Sequence, residues 1–159
     1  MTHNGQDLGS DACITAAKGI YFWYKQGHAP APLSNNILSM FQSFKAAYDS
    51  KNIVELSSII SDTYMGSSYS AADKPSLIYF FSQVFNSLPQ GIELDLTINI
   101  YKIIEDSQEL FKAIVNFQGR LKVAFILSQP FDSGRVYVKA RPEMADGTWK
   151  IIGIDVIKD

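Results

Sequence analysis

The spacing of apolar residues changes once along this chain, near Gly91, and that change most constrains the fold. Before Gly91, apolar side chains recur every three or four residues, which is the period of a helix packed along one side. After it, every second residue is apolar over one long stretch: Ile92, Leu94, Leu96, Ile98 and Ile100. Helices and strands segregated in this way are typical of an α+β domain.

Three helices are predicted before Gly91, each from a start signal. Ser34 is a suitable N-cap for the first, which carries an apolar stripe. Asn52, with Glu55 three residues later, resembles a capping box and predicts the second. Asp73 precedes a third helix that has Pro75 in its first turn, where proline is tolerated.

About four long antiparallel strands are predicted after the helices. The first changes its apolar register near Ile100 and Tyr101, which indicates a bulge and a bend. Turns are predicted at residues 105–108, at residues 130–134 and at Asp146-Gly147. The complete prediction is three N-terminal helices packed on a strongly curved antiparallel sheet, which together form a cone.

Residues 1–33 are predicted to be an extension or strap, and residues 34–159 the α+β domain. Within the extension, residues 12–26 are apolar and include the aromatic run Tyr21–Tyr24, which we interpret as a short helix or an irregular strap. A proline-rich linker follows it. The aromatic run could close the cone, connect two subunits, dock on a partner or lie on a membrane. Few basic residues flank it, so we favour a lid or a dimer strap.

Composition excludes several classes of protein. The chain has 159 residues, 47% hydrophobic and 19% charged, which predicts one globular domain. The net charge is -2 and the 14 basic residues are dispersed, so we expect no nucleic-acid partner. No apolar run reaches the roughly 18 residues of a membrane span. No signal peptide is visible, so the sequence leaves the localisation open. The single cysteine, Cys13, permits no intrachain disulfide.

Two stretches of the sequence resemble the nuclear transport factor two-like superfamily, which includes ketosteroid isomerases and SnoaL-like cyclases. The first covers residues 41–64, and the second is Asp146-Gly-Thr-Trp-Lys-Ile-Ile-Gly-Ile154. The resemblance extends over about residues 34–157. It implies a cystatin-like cone with an open-ended pocket, and a homodimer formed through the sheet. Apolar pockets of this kind bind small ligands, so a small apolar or aromatic ligand is expected.

Aromatic side chains are the predicted lining of the pocket. The ligand-pocket candidates are Phe44, Tyr48, Tyr64, Phe81, Phe85, Tyr101 and Trp149. Tyr69 and Phe80 could also contact a flat ligand, with tyrosine hydroxyls as polar handles. Core packing is the alternative explanation for most of these residues.

No catalytic set is matched with confidence. The ketosteroid isomerases use an aspartate base and an oxyanion hole that contains a tyrosine. The resemblance implies the base near Ser68 and the tyrosine near Phe44, and neither position has the required residue. The two histidines, His3 and His28, lie outside the matched region, so a histidine-dependent dehydratase would need one from the extension. No metal site and no cofactor are predicted.

Carboxylates leave an enzymatic alternative open. Glu93 and Asp95 share a strand face, where they could perform acid–base chemistry or simply face solvent. Asp155 lies among apolar residues, either at a wet strand end or partly buried with a raised pKa. We expect a non-catalytic ligand-binding or protein-interaction module. The alternative is an isomerase, dehydratase or cyclase that uses Asp155, Tyr64 or Tyr69.

Overall fold

One six-stranded sheet and three helices make up the part of the chain that the computed structural model describes, residues 12–24, 33–123, 127–143 and 147–157. The elements are β1 (Ala12–Ala17), β2 (Ile20–Tyr24), α1 (Asn35–Asp49), α2 (Ile53–Ile59), α3 (Lys74–Ser87), β3 (Ile92–Asp106), β4 (Phe111–Val123), β5 (Leu127–Pro142) and β6 (Trp149–Val156). A 3-10 turn, Ser68–Ser70, lies between α2 and α3. The α+β class is confirmed, with the helices on one face of a curved sheet.

Each helix begins at its predicted cap. The side chains of Ser34, Asn52 and Asp73 accept hydrogen bonds from the backbone N–H three residues later, at 3.3, 3.1 and 3.0 Å. Such a bond satisfies an N–H group that has no partner within the helix, and it stabilises the helix by about 1 kcal/mol. The three predicted helices are therefore confirmed, and local side-chain chemistry fixes where they start.

The four long strands after the helices are also found, and they pair antiparallel in chain order. The pairing shifts between Ile100 and Lys102, which confirms the predicted bulge. The turn predicted at residues 130–134 is wrong, because β5 continues through it in register with β4. Pro130 pairs with Arg120 beside an irregularity of that register, where the missing N–H of proline is tolerated.

The prediction of a helix or irregular strap for residues 12–26 is wrong where the structure describes it. β1 and β2 form a hairpin, and β2 adds to the edge of β3 in parallel, with Ile20 opposite Ile98. The sheet therefore has six strands rather than four, one pair is parallel, and a hairpin precedes the helices. Ile20 and Phe22 are buried against the core at 0% and 7% exposure, so the aromatic run alternates as a strand does.

The core lies between the helices and one face of the sheet, which we call the inner face. Fully buried side chains of the inner face include Ile98, Ile100, Val115, Val138 and Ile151. Residues of opposite parity lie on the outer face, which the helices leave uncovered. None of the described helices is long and apolar enough to cross a membrane.

Candidate functional site

The interior of the cone is almost filled by aromatic rings. A cavity of about 20 Å³ remains beneath α1 and α3. Its walls include Phe44, Tyr48, Tyr69, Phe81, Phe117 and Ile154. A cavity can hold one water molecule when the volume open to the centre of a water-sized sphere is about 10–15 Å³. The cavity in this structure therefore has room for about one water molecule.

Four of the predicted pocket residues lie together in this interior. Phe44, Tyr48 and Phe81 line the cavity, and Phe85 packs edge-on against Tyr48 with 5.9 Å between ring centroids. Phe44 and Phe81 also meet edge to face, at 6.3 Å. Edge-to-face packing satisfies the charge distribution of the rings while filling space, so these residues form much of the core.

The other three predicted pocket residues lie elsewhere. Tyr64 is buried beside β6, where its hydroxyl donates to the Ile154 carbonyl at 3.4 Å. Burial raises the pKa of Tyr64 to about 12, so the phenol is neutral at physiological pH. Trp149 borders a separate surface groove of about 410 Å³ between α1 and α2. Tyr101 lies on the outer face, where its ring contacts Trp23.

Tyr69 occupies the mouth of the cone, which we define as the Ser68–Ser70 turn together with Phe80. The ring of Tyr69 stacks on Phe80 with 4.2 Å between centroids and 19° between planes. Tyr69 lines the inner cavity and also an outer groove of about 470 Å³ beside α3. Sequence reasoning identified Tyr69 as a candidate residue, but its position between the two spaces depends on the turn.

The inner cavity is closed on its sheet side by contact between Tyr48 and Gly119. A Cβ atom on Gly119 would meet the Tyr48 hydroxyl and would lie 3.2 Å from its Cζ. Replacing Gly119 by alanine should lower the free energy of unfolding by about 1–3 kcal/mol, because the buried ring has little room to move. Urea unfolding measures this cost. Gly134→Ala, which meets no atom within 4 Å, is the control and should change stability little.

Asp155 lies on the outer face, away from the cavity walls. It pairs across strands with Tyr137 and forms an ion pair with Lys139 at 3.6 Å. Its side chain is 31% exposed. Of the three candidate catalytic residues Asp155, Tyr64 and Tyr69, the last is the one that lines the inner cavity.

Asp95 belongs to a charged cluster that joins α1 to β3. The Lys45 ammonium donates to Asp49 at 2.9 Å, to Asp95 at 2.8 Å and to the Leu96 carbonyl at 2.6 Å. The Leu96 N–H donates to Asp49 at 2.7 Å, so every member has more than one partner. Glu93 is exposed and takes no part. The two carboxylates that share a strand face in the sequence therefore have different surroundings: Glu93 faces solvent, and Asp95 belongs to the charged cluster.

The charges in this cluster are held by its hydrogen bonds. Burial alone would lower the pKa of Lys45, but its bonds to Asp95 and Asp49 outweigh burial and raise that pKa. Burial raises the pKa of Asp49 despite the neighbouring ammonium. Burial also opposes ionisation of Asp95, but Lys45 and Lys122 outweigh it and lower the pKa of Asp95. The cluster fixes the position of α1 on the sheet.

A group of aromatic and amide side chains, missed by the sequence analysis, lies on the outer face. We call it the outer aromatic patch: Trp23, Asn99, Tyr101, Asn116 and Arg135. The Trp23 indole donates to the Asn99 side chain at 3.0 Å. The Arg135 guanidinium lies 4.5 Å from the centroid of the Tyr101 ring, within the range of a cation–π interaction. The bulge in β3 was the sequence signal that could have placed the Tyr101 ring on this face.

Asn116 is at the centre of this patch. It pairs across strands with Asn99 on one side and with Arg135 on the other. Its side-chain oxygen is buried and accepts no hydrogen bond from the described residues. An unsatisfied buried acceptor costs about 1–3 kcal/mol, so a donor brought to this position would be bound favourably. The patch therefore has an unused polar group surrounded by aromatic surface.

Metal ligands do not cluster in the described part of the chain: no three His, Cys, Asp or Glu side chains there could share an ion. His3 and His28 lie outside the described residues.

Comparison by sequence gives no relative: no family model matches the chain, and no curated protein matches it. Comparison by structure does. A calcium/calmodulin-dependent protein kinase type II association domain from Thiobacillus denitrificans ATCC 25259 is similar with a TM-score of 0.57 and 13% identity, over 80% of this chain and 100% of that one. A ketosteroid isomerase-like protein from Erwinia carotovora atroseptica SCRI1043 has a TM-score of 0.51 and 16% identity, over 75% and 90%.

A third similar structure is a complex. It is a protein from Catenulispora acidiphila in complex with S-DNPA, with a TM-score of 0.59 and 9% identity, over 76% of this chain and 90% of that one. Identities this low establish the fold alone. The resemblance to the nuclear transport factor two-like superfamily is confirmed at that level.

Proposed function

We propose that this chain, which has the nuclear transport factor two-like fold, is a non-catalytic binding module that pairs with a second copy of itself through the outer face of its sheet. The observation that carries the proposal is the outer aromatic patch. Trp, Tyr and Arg are the residue types that dominate binding energy at protein interfaces. Here the Tyr101 ring contacts both Trp23 and Arg135 on the sheet face that the helices leave uncovered.

Self-association explains the unused acceptor on Asn116. A two-fold interface brings the same surface of both subunits together, so donors of the other copy would reach each Asn116 oxygen once its side chain turns outward from its buried position. The Arg135 guanidinium and the Asn99 amide carry such donors, and both flank Asn116. Pairing would therefore satisfy a buried polar atom and bury aromatic surface in the same step.

The filled interior supports the non-catalytic part of the proposal. Pockets for small substrates typically measure about 300–1,000 Å³, whereas the closed cavity measures about 20 Å³. The neutral phenol of Tyr64 is engaged by the β6 backbone, and Asp155 is paired with Lys139. The enzymatic alternative, an isomerase, dehydratase or cyclase that uses Asp155, Tyr64 or Tyr69, is supported less, because Tyr69 is the one of the three that lines the inner cavity.

The oligomeric state tests the proposal. We expect a dimer at low micromolar concentration in sedimentation velocity, and we expect Arg135→Glu to weaken the dimer at least about tenfold. The reversed charge loses the stacking on Tyr101 and repels the carbonyl of Asn116. Arg141→Glu changes the same residue type on the same strand but beyond the patch, where Arg141 contacts Thr63, and it should leave the dimer intact. A wild-type chain that stays monomeric throughout would refute pairing.

A small apolar or aromatic ligand is a second candidate function. The Catenulispora acidiphila protein of the same fold was solved in complex with S-DNPA. The mouth of the cone supports the same idea for this chain, because its outer groove of about 470 Å³ is lined largely by aromatic and other uncharged side chains.

A further inference from the structure

We propose that the side chain of Tyr69 gates a single binding site that the closed structure divides in two. The inference deepens the small-ligand function proposed above and rests on it. Tyr69 borders the inner cavity of about 20 Å³ and the outer groove of about 470 Å³. Among the described lining residues it is the one that both spaces share. If its ring rotates away, the two spaces become continuous.

The backbone of the gate is strained in the closed state. Tyr69 has φ +59° and Ser70 has φ +55°, in the left-handed region that is unfavourable for residues with a Cβ atom. Elsewhere among the described residues this region is occupied by three glycines, Gly19, Gly91 and Gly147, and by one residue with a Cβ atom, Lys51. Two strained residues in succession persist only because surrounding contacts hold them. The stacking of Tyr69 on Phe80 is one such contact, so opening exchanges a ring contact for relief of strain.

A buried polar atom adjoins the gate. Ser68, the residue before Tyr69, is 3% exposed, and its hydroxyl has no hydrogen-bond partner among the described residues. A buried hydroxyl without a hydrogen bond destabilises the closed state. A rearranged turn could give this hydroxyl a partner, either water or a polar group of the ligand. Strain and the unmet hydrogen bond therefore both lower the free energy needed to open the gate.

The walls define the chemical class of the ligand. Aromatic rings border both spaces: Phe44 and Phe81 on the inner side, Tyr79 and Phe80 on the outer side. No charged side chain is among the described residues that line either space. The hydrogen-bonding side chains that line the outer groove, which include Ser76 and Gln83, are all uncharged. The ligand that fits is flat, aromatic and uncharged, because an ion would lose its hydration without gaining a partner.

Two fluorescent probes that differ in charge test the site. N-phenyl-1-naphthylamine is neutral, and 8-anilino-1-naphthalenesulfonate has nearly the same rings with a sulfonate. Tyr69→Gly removes the ring and the strain, and it should bind the neutral probe with one-to-one stoichiometry at least about tenfold more tightly than wild type. If only the open form binds, the affinity of wild type is reduced by the fraction of molecules that are open. The ratio of the two affinities therefore gives the inverse of that fraction. The sulfonate should bind at least about tenfold more weakly than the neutral probe to the same variant.

Two matched variants separate the ring from the strain. Ser70→Gly relieves strain at the neighbouring residue but keeps the ring, so it should stay much closer to wild type than Tyr69→Gly does. Phe80→Ala removes the stacking partner and leaves the turn sequence unchanged, and it should also tighten binding of the neutral probe. Phe80→Ala therefore tests the gate even if Tyr69→Gly folds poorly. Thermal unfolding confirms that each variant is folded.

The outcomes distinguish the gate from the ligand site. If wild type and Tyr69→Gly bind the neutral probe equally, the gate is refuted and small-ligand binding stands. If no folded variant binds the probe, both are refuted. Adding Val136→Phe to Tyr69→Gly fills the inner cavity from its sheet side and should abolish the gain. Undiminished binding in that double variant would place the probe elsewhere and overturn the inference.

Discussion

Replacing Phe81 by alanine is expected to lower the free energy of unfolding by about 3–5 kcal/mol. The side chain is 3% exposed, and removing it leaves a cavity at the centre of the cone that the rigid sheet cannot close. Its ring contacts five other aromatic rings at centroid distances of 5.4–6.4 Å: Phe44, Tyr48, Tyr69, Phe80 and Phe85. No other substitution in α3 should cost as much, because Phe81 connects the first helix, the mouth and the core.

Tyr79→Ala provides the matched control on the same helix. Tyr79 is 66% exposed, so its removal should change stability by no more than about 0.5 kcal/mol. Urea unfolding measures both variants, and an unchanged slope against denaturant would show that the difference lies in stability rather than in the extent of unfolding. Similar costs at Phe81 and Tyr79 would contradict the packing described here.

Local signals were sufficient to predict the helices and most of the sheet. A cap fixes where a helix begins, and the information lies within four residues of sequence, as Ser34, Asn52 and Asp73 illustrate. The long strands are equally readable, because one buried face forces strict alternation of apolar residues. Both kinds of signal operate within a single element, which is why no knowledge of its neighbours was needed.

The N-terminal hairpin escaped prediction because its partner is remote. β2 pairs with β3, and the three helices lie between the paired residues Ile20 and Ile98 in the sequence. The aromatic run Tyr21–Tyr24 also hides its own alternation, since rings lie on both faces of the strand: Phe22 is buried in the core and Trp23 lies in the outer aromatic patch. A period of two is invisible when both parities are apolar.

The candidate site could be predicted by residue type but not by shape. Phe44, Tyr48 and Phe81 were expected in the pocket, and they line the inner cavity. Whether a cone is open or filled depends on a few rotamers and on close contacts, which a sequence does not show. Tyr101 illustrates a further limit. The bulge beside it was predicted, but a bulge also reverses which face the next side chain occupies, and here it places Tyr101 on the outer face.

Replacing Lys45 by methionine is expected to lower the free energy of unfolding by about 1–3 kcal/mol near neutral pH. The Lys45 side chain is 13% exposed, so its loss leaves two carboxylates and the Leu96 carbonyl without their shared donor. Breaking one side of a largely buried ion pair is costly because the remaining charge keeps its desolvation penalty. Lys74→Met is the control: Lys74 pairs with Asp62, whose side chain is 94% exposed, and its loss should matter less.

The pH dependence of this deficit identifies its origin. The lowered pKa of Asp95 means that its ionised form stabilises the fold above the unfolded pKa, near 3.8, and that this stability is lost as the pH falls through the folded pKa. Asp49, whose pKa is raised, binds its proton more tightly in the folded state, so its protonation in acid removes the cost of burying its charge.

Without Lys45, both carboxyls should take up protons more readily in the folded state. The stability gap between wild type and Lys45→Met should therefore narrow as the pH falls through the pKa values of these carboxyls, which lie higher in the variant than in wild type. The raised pKa of Lys45 keeps its contribution constant until the pH exceeds 10.5, so the gap should be flat through neutral pH. Urea unfolding at a series of pH values measures the gap, and a deficit that persists unchanged in acid would assign the loss to packing of the lysine stem instead of to its charge.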